Sequence, residues 1–124
     1  MIFLGDFNAR IDLNSPRTRD LLLHKFCTDS NVISVNTSHK CTGVDTTYVS
    51  YDGKFQSLID YISVPVEIFD CVEKCIVLDD DCLNVSRHRP IICYIRLPVV
   101  NAYNSDSMLS PLNGENVMAP ILMT

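Results

Sequence analysis

The sequence predicts one α+β domain with a single main helix and mostly antiparallel strands. Three observations lead to this fold class. The chain has 124 residues, of which 47% are hydrophobic and 20% charged, a composition that suits one packed domain. Only residues 16–29 repeat their apolar side chains at helical spacing. Several short β-branched or aromatic runs end at Gly, Pro, Asn or Asp, as strands joined by tight turns do.

The first predicted elements are a short strand and the helix. Met1-Ile2-Phe3-Leu4 is an apolar run of the length of a buried strand, and a loop is expected over residues 9–13. Ser15 is expected to be the N-cap of the helix over 16–29, with Pro16 at the first helical position. The apolar stripe of this helix is formed by Leu22, Leu23, Phe26 and Cys27.

Strands are predicted for the rest of the folded part. Asp52-Gly53 favours positive φ angles and marks a hairpin turn between two of them. Pro65 and Pro98 each end a strand, because proline cannot donate a ladder hydrogen bond. The predicted strands cover residues 32–35, 46–51, 57–64, 72–78 and 91–97.

The character of the chain changes after Pro98. Residues 99–124 contain two acidic and no basic residues, with scattered Asn, Ser and Pro and no sustained period. Such a composition indicates a linker or a disordered tail. The folded domain is therefore expected to cover residues 1–98.

The net charge of −5 argues against a protein that coats nucleic acid without sequence preference. It is compatible with a nuclease, because a bound divalent cation can reverse the field locally. No apolar run is long enough to cross a bilayer, and no signal peptide is recognisable. We therefore expect an intracellular protein, nuclear or cytoplasmic and not secreted, without a membrane partner.

The six cysteines are expected to be reduced thiols, since intracellular disulfides are rare. No C-x-x-C pair occurs, which argues against a structural zinc site. Cys71 and Cys93 lie in apolar, strand-like segments, where a thiol acts as a small hydrophobic group.

Polar side chains at strand ends are the candidate functional residues. Asp6 and Asn8 follow the first strand, and extended alternation would place them on one face. A carboxylate beside an amide is suited to orienting a water near a phosphate oxygen. An Asx-type turn is the alternative structural explanation for this pair.

Asp60 and His88 form a second candidate pair. Asp60 interrupts an apolar strand, where a buried carboxylate is costly unless it is paired. His88 precedes the last strand. A carboxylate that orients an imidazole is a common arrangement for a base or a phosphate-binding group. Taken alone, Asp60 fits a core acid bound by backbone donors, and His88 a structural histidine.

Three motifs together resemble the endonuclease/exonuclease/phosphatase family. They are Gly5-Asp6-Phe7-Asn8, Ser57-Leu58-Ile59-Asp60-Tyr61-Ile62 and Ser86-Arg87-His88-Arg89-Pro90-Ile91. The family motifs are G-D-F-N, S-x-I-D-Y-I and S-D-H-x-P-I. The greatest similarity is to the apurinic-type endonuclease domain of non-LTR retrotransposon polyproteins, over about residues 1–98. This resemblance implies half of a four-layer α/β sandwich and metal-dependent hydrolysis of DNA phosphodiesters.

The resemblance also implies roles for single residues. Asp6 would orient or deprotonate the attacking water, and Asn8 would bind the scissile phosphate. Asp60 would accept a hydrogen bond from His88, whose other nitrogen would contact a phosphate oxygen. Arg87 and Arg89 are candidate phosphate contacts, and Mg²⁺ or Mn²⁺ is the implied cofactor.

Two departures from the family pattern bear on activity. Arg87 stands where the family has an acid, so it either contacts phosphate or marks a degraded copy. Family domains are roughly twice as long, and no position here matches the glutamate that binds the metal. The chain is thus expected to be a truncated and inactive copy on its own.

The implied partners are DNA, an N-terminal half and a fused reverse transcriptase. The alternatives are a phosphatase or RNA deadenylase of the same fold, and a non-catalytic relic or interaction domain.

Overall fold

The computed structural model describes residues 1–98 and 116–123. This part of the chain is a mixed α+β structure made mostly of strands, with one main helix and open sheets. The helix is α1 (Thr18–Asp29). The strands are β1 (Phe3–Asp6), β2 (Val32–Ser34), β3 (Cys41–Gly43), β4 (Tyr48–Val49), β5 (Gln56–Ser57), β6 (Asp60–Pro65), β7 (Val72–Val77), β8 (Ile91–Pro98) and β9 (Asn116–Met123). Two 3-10 helices cover Val35–Thr37 and Val66–Cys71.

The strands form two sheets and a separate hairpin. The first sheet has the order β1-β6-β2 and is antiparallel throughout. The second has the order β3-β7-β8-β9, in which only the β3–β7 pair is parallel. The hairpin joins β4 and β5 through the predicted turn, where Gly53 has a φ of 71°. The predicted α+β class, with mostly antiparallel strands and one main helix, is confirmed.

Strand β6 is the centre of the described structure because both of its faces are buried. Ile62 and Val64 point into the core that the two sheets share, with Ile91 and Ile95 among the buried residues there. Tyr61 points to the other face and packs with Leu23 of α1 in a second cluster. Alternation along the strand explains this division, since successive side chains leave on opposite faces.

Helix α1 begins later than predicted. Ser15 has a φ of 50° and does not cap the helix, and Arg17 is the N-cap instead. The Asp20 carboxylate accepts the Arg17 backbone N–H at 2.8 Å, so an acid inside the first turn takes the capping role. The stripe is narrower than expected, because Leu22 is 63% exposed while Leu23, Phe26 and Cys27 pack inward.

Tertiary pairing explains two other differences from the prediction. The strand predicted over 57–64 is divided into β5 and β6, because the hairpin ends where Asp60 enters the first sheet. Strand β3 was not predicted and is held by parallel pairing with β7.

The expected linker or tail over 99–124 needs a correction where the chain is described. Asn116–Met123 forms strand β9, which pairs with β8 along its whole length. Pro120 is the register partner of Tyr94, and β9 is the last strand in the order of the second sheet, an edge position of the kind where proline is found. Residues 99–115 and Thr124 lie outside the described residues.

Candidate active site

Asp6 and Asn8 are brought together by a turn rather than by an extended strand. Asp6 is the last residue of β1, and the chain leaves the sheet after it. Asn8 has a φ of 48°, and its backbone N–H donates to Asp6 Oδ1 at 2.8 Å. This is the Asx turn that the sequence left open as an alternative. Both residues are exposed and line one cleft of about 560 Å³.

Asp60 and His88 form the predicted pair. Asp60 is the first residue of β6 and only 4% exposed. Both of its carboxylate oxygens lie close to His88 Nδ1, at 3.1 and 2.9 Å. Because Nδ1 is engaged in this way, Nε2 is the ring nitrogen left for other partners.

Contacts on several sides hold the His88 ring and its loop. Its backbone N–H donates to Ser86 Oγ at 3.0 Å, and its carbonyl accepts from Asn84 Nδ2 at 2.9 Å. The Tyr48 ring packs against the imidazole at a centroid distance of 5.1 Å. The histidine is therefore positioned by its loop and by the hairpin, not only by Asp60.

The pair is completed by Asp6, which lies opposite Asp60 in the β1–β6 register. His88 Nε2 is 3.9 Å from Asp6 Oδ2, and one ligand atom from each of the three residues lies within 4.8 Å of the others. A separation of 3.9 Å is too long for a direct hydrogen bond. It allows one oxygen atom at about 2.8 Å from each group to bridge them.

Two buried polar side chains fix the backbone at Asp60. Thr47 is fully buried, and its Oγ1 accepts from the backbone N–H groups of Ile59 and Asp60, each at 3.1 Å. Asn36 donates to the Asp60 carbonyl at 2.9 Å and accepts from Ile62 N at 3.0 Å. These bonds satisfy groups that the short strands leave without a ladder partner.

Two arginines in the same cleft were missed by sequence reasoning. Arg10 and Arg17 line it together with Asp6, Asn8 and His88. Both are held by Asp20, whose side chain is wholly buried. Asp20 accepts from Arg17 Nε at 3.2 Å, from Arg17 Nη2 at 3.1 Å and from the Arg10 backbone N–H at 2.8 Å.

Arg10, Arg17 and Asp20 form one charged group, and the contacts with Asp20 set its charge. Hydrogen bonds from Arg17 are the main cause that lowers the pKa of Asp20, so the carboxylate is ionised. Two guanidinium groups and one carboxylate leave one positive charge on this group, which offsets the Asp6 carboxylate in the same cleft. Arg10 Nε is buried and makes no hydrogen bond among the described residues. The sequence signal was the acid three residues after Arg17, at the position of a capping-box acid.

Arg87 and Arg89 do not line the cleft. The Arg87 guanidinium carbon lies 4.2 Å from the centroid of the exposed Tyr51 ring, which is a cation–π arrangement. Arg89 is 6% exposed and donates to Thr46, Gln56 and Asp80. Its contacts are those of a residue that joins loops.

The donor set limits which cation this site suits. Asp60 is occupied by His88, so Asp6 offers the free carboxylate oxygen and His88 Nε2 the free nitrogen. Mg²⁺ prefers oxygen ligands and keeps several waters, often with one or two carboxylates and a substrate phosphate. Asp6 fits such a partly hydrated ion, and Mn²⁺ suits carboxylate and water ligands in the same way.

A larger cavity of about 810 Å³ lies beyond Arg10 and contains none of the acid–histidine group. It is lined by residues of the 3-10 helix, β3 and the hairpin, including Asn36, Cys41, Gly43 and Gln56. The geometry of Asp6, Asp60 and His88 makes the smaller cleft the candidate active site.

No family model, curated protein or solved structure matches the chain. Within residues 1–98 and 116–123, no helix has the length and apolar character needed to span a membrane.

Proposed function

We propose that this cleft is built for metal-dependent hydrolysis of a phosphodiester, with DNA as the substrate that the sequence resemblance implies. One observation carries the proposal. His88 is held by the buried Asp60 through Nδ1, and its Nε2 lies 3.9 Å from the Asp6 carboxylate in an open cleft. A carboxylate and a ring nitrogen at this distance can each contact a different oxygen atom around one reacting phosphate.

His88 is assigned to the phosphate. Asp60 accepts the Nδ1–H bond, which fixes the ring orientation and the tautomer. In the imidazolium form, Nε2–H donates to a phosphate oxygen and stabilises the negative charge that develops there. Tyr48 keeps the ring from turning out of the cleft.

Asp6 is assigned to the attacking water. Its Oδ1 accepts the Asn8 backbone N–H at 2.8 Å, and this bond holds the carboxylate in one orientation. Oδ2 is the oxygen nearer to His88 and can accept a proton or hydrogen bond from a water. The Asn8 side-chain amide makes no hydrogen bond among the described residues, which leaves its N–H₂ group to donate to the phosphate.

Arg10 and Arg17 supply the positive charge that a chain of net charge −5 lacks overall. Their guanidinium groups suit phosphate oxygens flanking the reacting one, because each presents several donors in a plane. A divalent ion held by Asp6 would neutralise charge on the pentacovalent phosphate and lower the pKa of a bound water.

The first experiment uses the three histidines of the chain. Ring ¹⁵N spectra are recorded while Mg²⁺ and a short phosphorothioate DNA oligonucleotide are added. The Nε2 signal of His88 is expected to shift, whereas those of the exposed His24 and His39 stay in place. An unchanged His88 signal, or equal shifts of all three, would refute the assignment.

The second experiment measures turnover with supercoiled plasmid and Mg²⁺. We expect little nicking by this chain alone, because it has no counterpart of the family's metal-binding glutamate. Metal-dependent nicking that is lost in His88→Ala and kept in His24→Ala would make the chain an enzyme in its own right. Parallel assays with RNA and with a phosphomonoester separate the deadenylase and phosphatase alternatives.

A non-catalytic relic or interaction domain is the second candidate. Arg87 supports this candidate. The family resemblance calls for an acid at this position in the site, whereas Arg87 is a cation that stacks on Tyr51. Calorimetry separates this candidate from the enzymes. No heat of Mg²⁺ binding, together with a silent His88 signal, would favour the relic.

A further inference from the structure

Three thiols lie side by side across the second sheet. Cys41 of β3 is the register partner of Cys75 of β7, and Cys75 is the register partner of Cys93 of β8. Register partners share one face of a sheet, so the three side chains point the same way. Cys75 and Cys93 are completely buried, whereas Cys41 is partly exposed and lines the cavity of about 810 Å³.

Strands β3 and β7 are held close together around Cys41 and Cys75. Cys75 N donates to the Lys40 carbonyl at 2.9 Å, and Val44 N donates to the Val77 carbonyl at 3.2 Å. A Cβ atom on Gly43 would come within 2.0 Å of the same Val77 oxygen, so only glycine allows this approach. Cys41 and Cys75 are therefore fixed neighbours.

Their spacing allows a disulfide that is easily reduced. Adjacent strands lie about 4.8 Å apart, within the Cα separation of roughly 4.4–6.8 Å that disulfides tolerate. Side chains that leave one face of adjacent strands keep about this spacing, slightly more than the roughly 3.5–4.5 Å between the Cβ atoms of a relaxed disulfide. The bond would form with some strain, and strained disulfides are the reversible ones.

The two thiols differ in accessibility and acidity. A hydrogen bond from the Cys75 thiol lowers the pKa of Cys41, which favours the thiolate on the side that faces the cavity. The neighbouring thiols and burial raise the pKa of Cys75, so that sulfur keeps its proton. A reactive thiolate beside a buried thiol is the arrangement of a redox-sensitive pair.

We propose that Cys41 is a peroxide-reactive cysteine and that Cys75 resolves it as a reversible disulfide. The Cys41 thiolate attacks one oxygen of hydrogen peroxide, the O–O bond breaks, and hydroxide leaves. The product is a sulfenic acid on Cys41. The Cys75 sulfur then attacks the Cys41 sulfur, the S–O bond breaks, and the Cys75 proton leaves with the hydroxyl group as water. The hydroxide takes up the proton that Cys41 released on forming its thiolate, so overall two thiols are oxidised by two electrons and peroxide is reduced to two waters.

This inference does not depend on the proposed hydrolase activity. The test treats the reduced chain of 124 residues with equimolar hydrogen peroxide and blocks the remaining thiols with N-ethylmaleimide. Trypsin, together with a protease that cleaves before Asp79, separates Cys75 from Cys82 for mass spectrometry. A Cys41–Cys75 crosslinked peptide that dithiothreitol removes is expected as the main product.

Cys82 is the matched control, since it is exposed and is not a register partner of another cysteine. The Cys41 thiol is expected to disappear at least tenfold faster than the Cys82 thiol, and Cys82→Ser is expected to leave the crosslink unchanged. In Cys75→Ser, dimedone should label Cys41 as a trapped sulfenic acid.

The wild-type measurement needs no variant, so a folding defect cannot hide the result. The proposal is overturned if both thiols of the pair remain open to alkylation after peroxide. It is also overturned if Cys41 reacts no faster than Cys82, or if Cys75 pairs mainly with Cys93.

Discussion

Replacing Thr47 by valine tests how the buried frame of the candidate site is held. The substitution keeps the β-branched shape but removes Oγ1, which accepts the backbone N–H groups of Ile59 and Asp60 at 3.1 Å each. Thr47 is fully buried, so water cannot replace the lost acceptor. Each unsatisfied buried donor costs about 1–3 kcal/mol, which predicts a loss of about 2–6 kcal/mol in unfolding free energy.

Urea unfolding followed by far-UV circular dichroism measures this loss. For a denaturant slope of about 2 kcal/mol/M, a loss of about 3 kcal/mol lowers the unfolding midpoint by about 1.5 M. The control is Thr28→Val on the exposed side of α1, where the hydroxyl bonds the His24 carbonyl and water can replace it. That change is expected to stay within about 0.5 kcal/mol.

The Thr47→Val substitution should also disturb the candidate site. One of the two N–H groups that lose their acceptor belongs to Asp60, whose carboxylate holds His88. A shifted His88 ring ¹⁵N signal before any unfolding is the second readout. An unfolding midpoint equal to that of Thr28→Val, with an unchanged His88 signal, would refute the claim that Thr47 holds the Asp60 backbone.

Two further predictions concern pH. The lowered pKa of Asp20 means that its carboxylate stabilises the fold fully above its unfolded pKa of about 3.9 and loses this effect as pH falls below it. The melting temperature of Asp20→Asn should therefore lie furthest below wild type at pH 7, and the gap should narrow as pH falls from about 4 to about 2. A gap that stays constant over this range would contradict this. Burial raises the pKa of Tyr61 to about 12, so wild-type stability should fall as pH rises from about 10 through that value. Tyr61→Phe should lose less stability over this range, as measured by urea midpoints at each pH.

Local patterns were enough to predict the helix, the hairpin turn and most strands. Asp52-Gly53 was recognised because its φ preference is a property of those two residues. Strand β3 and the division between β5 and β6 were not predicted, because each depends on a partner distant in sequence. Strand β9 was missed for the same reason, since its partner β8 supplies the pairing.

The candidate site divides in a similar way. Asp60 and His88 were paired correctly from the cost of burying an unpaired carboxylate, a rule that needs no coordinates. Arg10 and Arg17 were missed, because surface arginines are common and only the buried Asp20 gives them a fixed place. Arg89 was considered for phosphate binding, yet its donors bind Thr46, Gln56 and Asp80.

The sequence by itself determined the α+β class, the candidate residues Asp6, Asn8, Asp60 and His88, and the resemblance that suggests their chemistry. These depend on local periodicity, turn preferences and residue type. Only the tertiary structure decided that Asp6 lies 3.9 Å from His88, that two arginines face the same cleft, and that three thiols align across a sheet. Such distances arise from strand register and packing between distant segments, and no local pattern contains them.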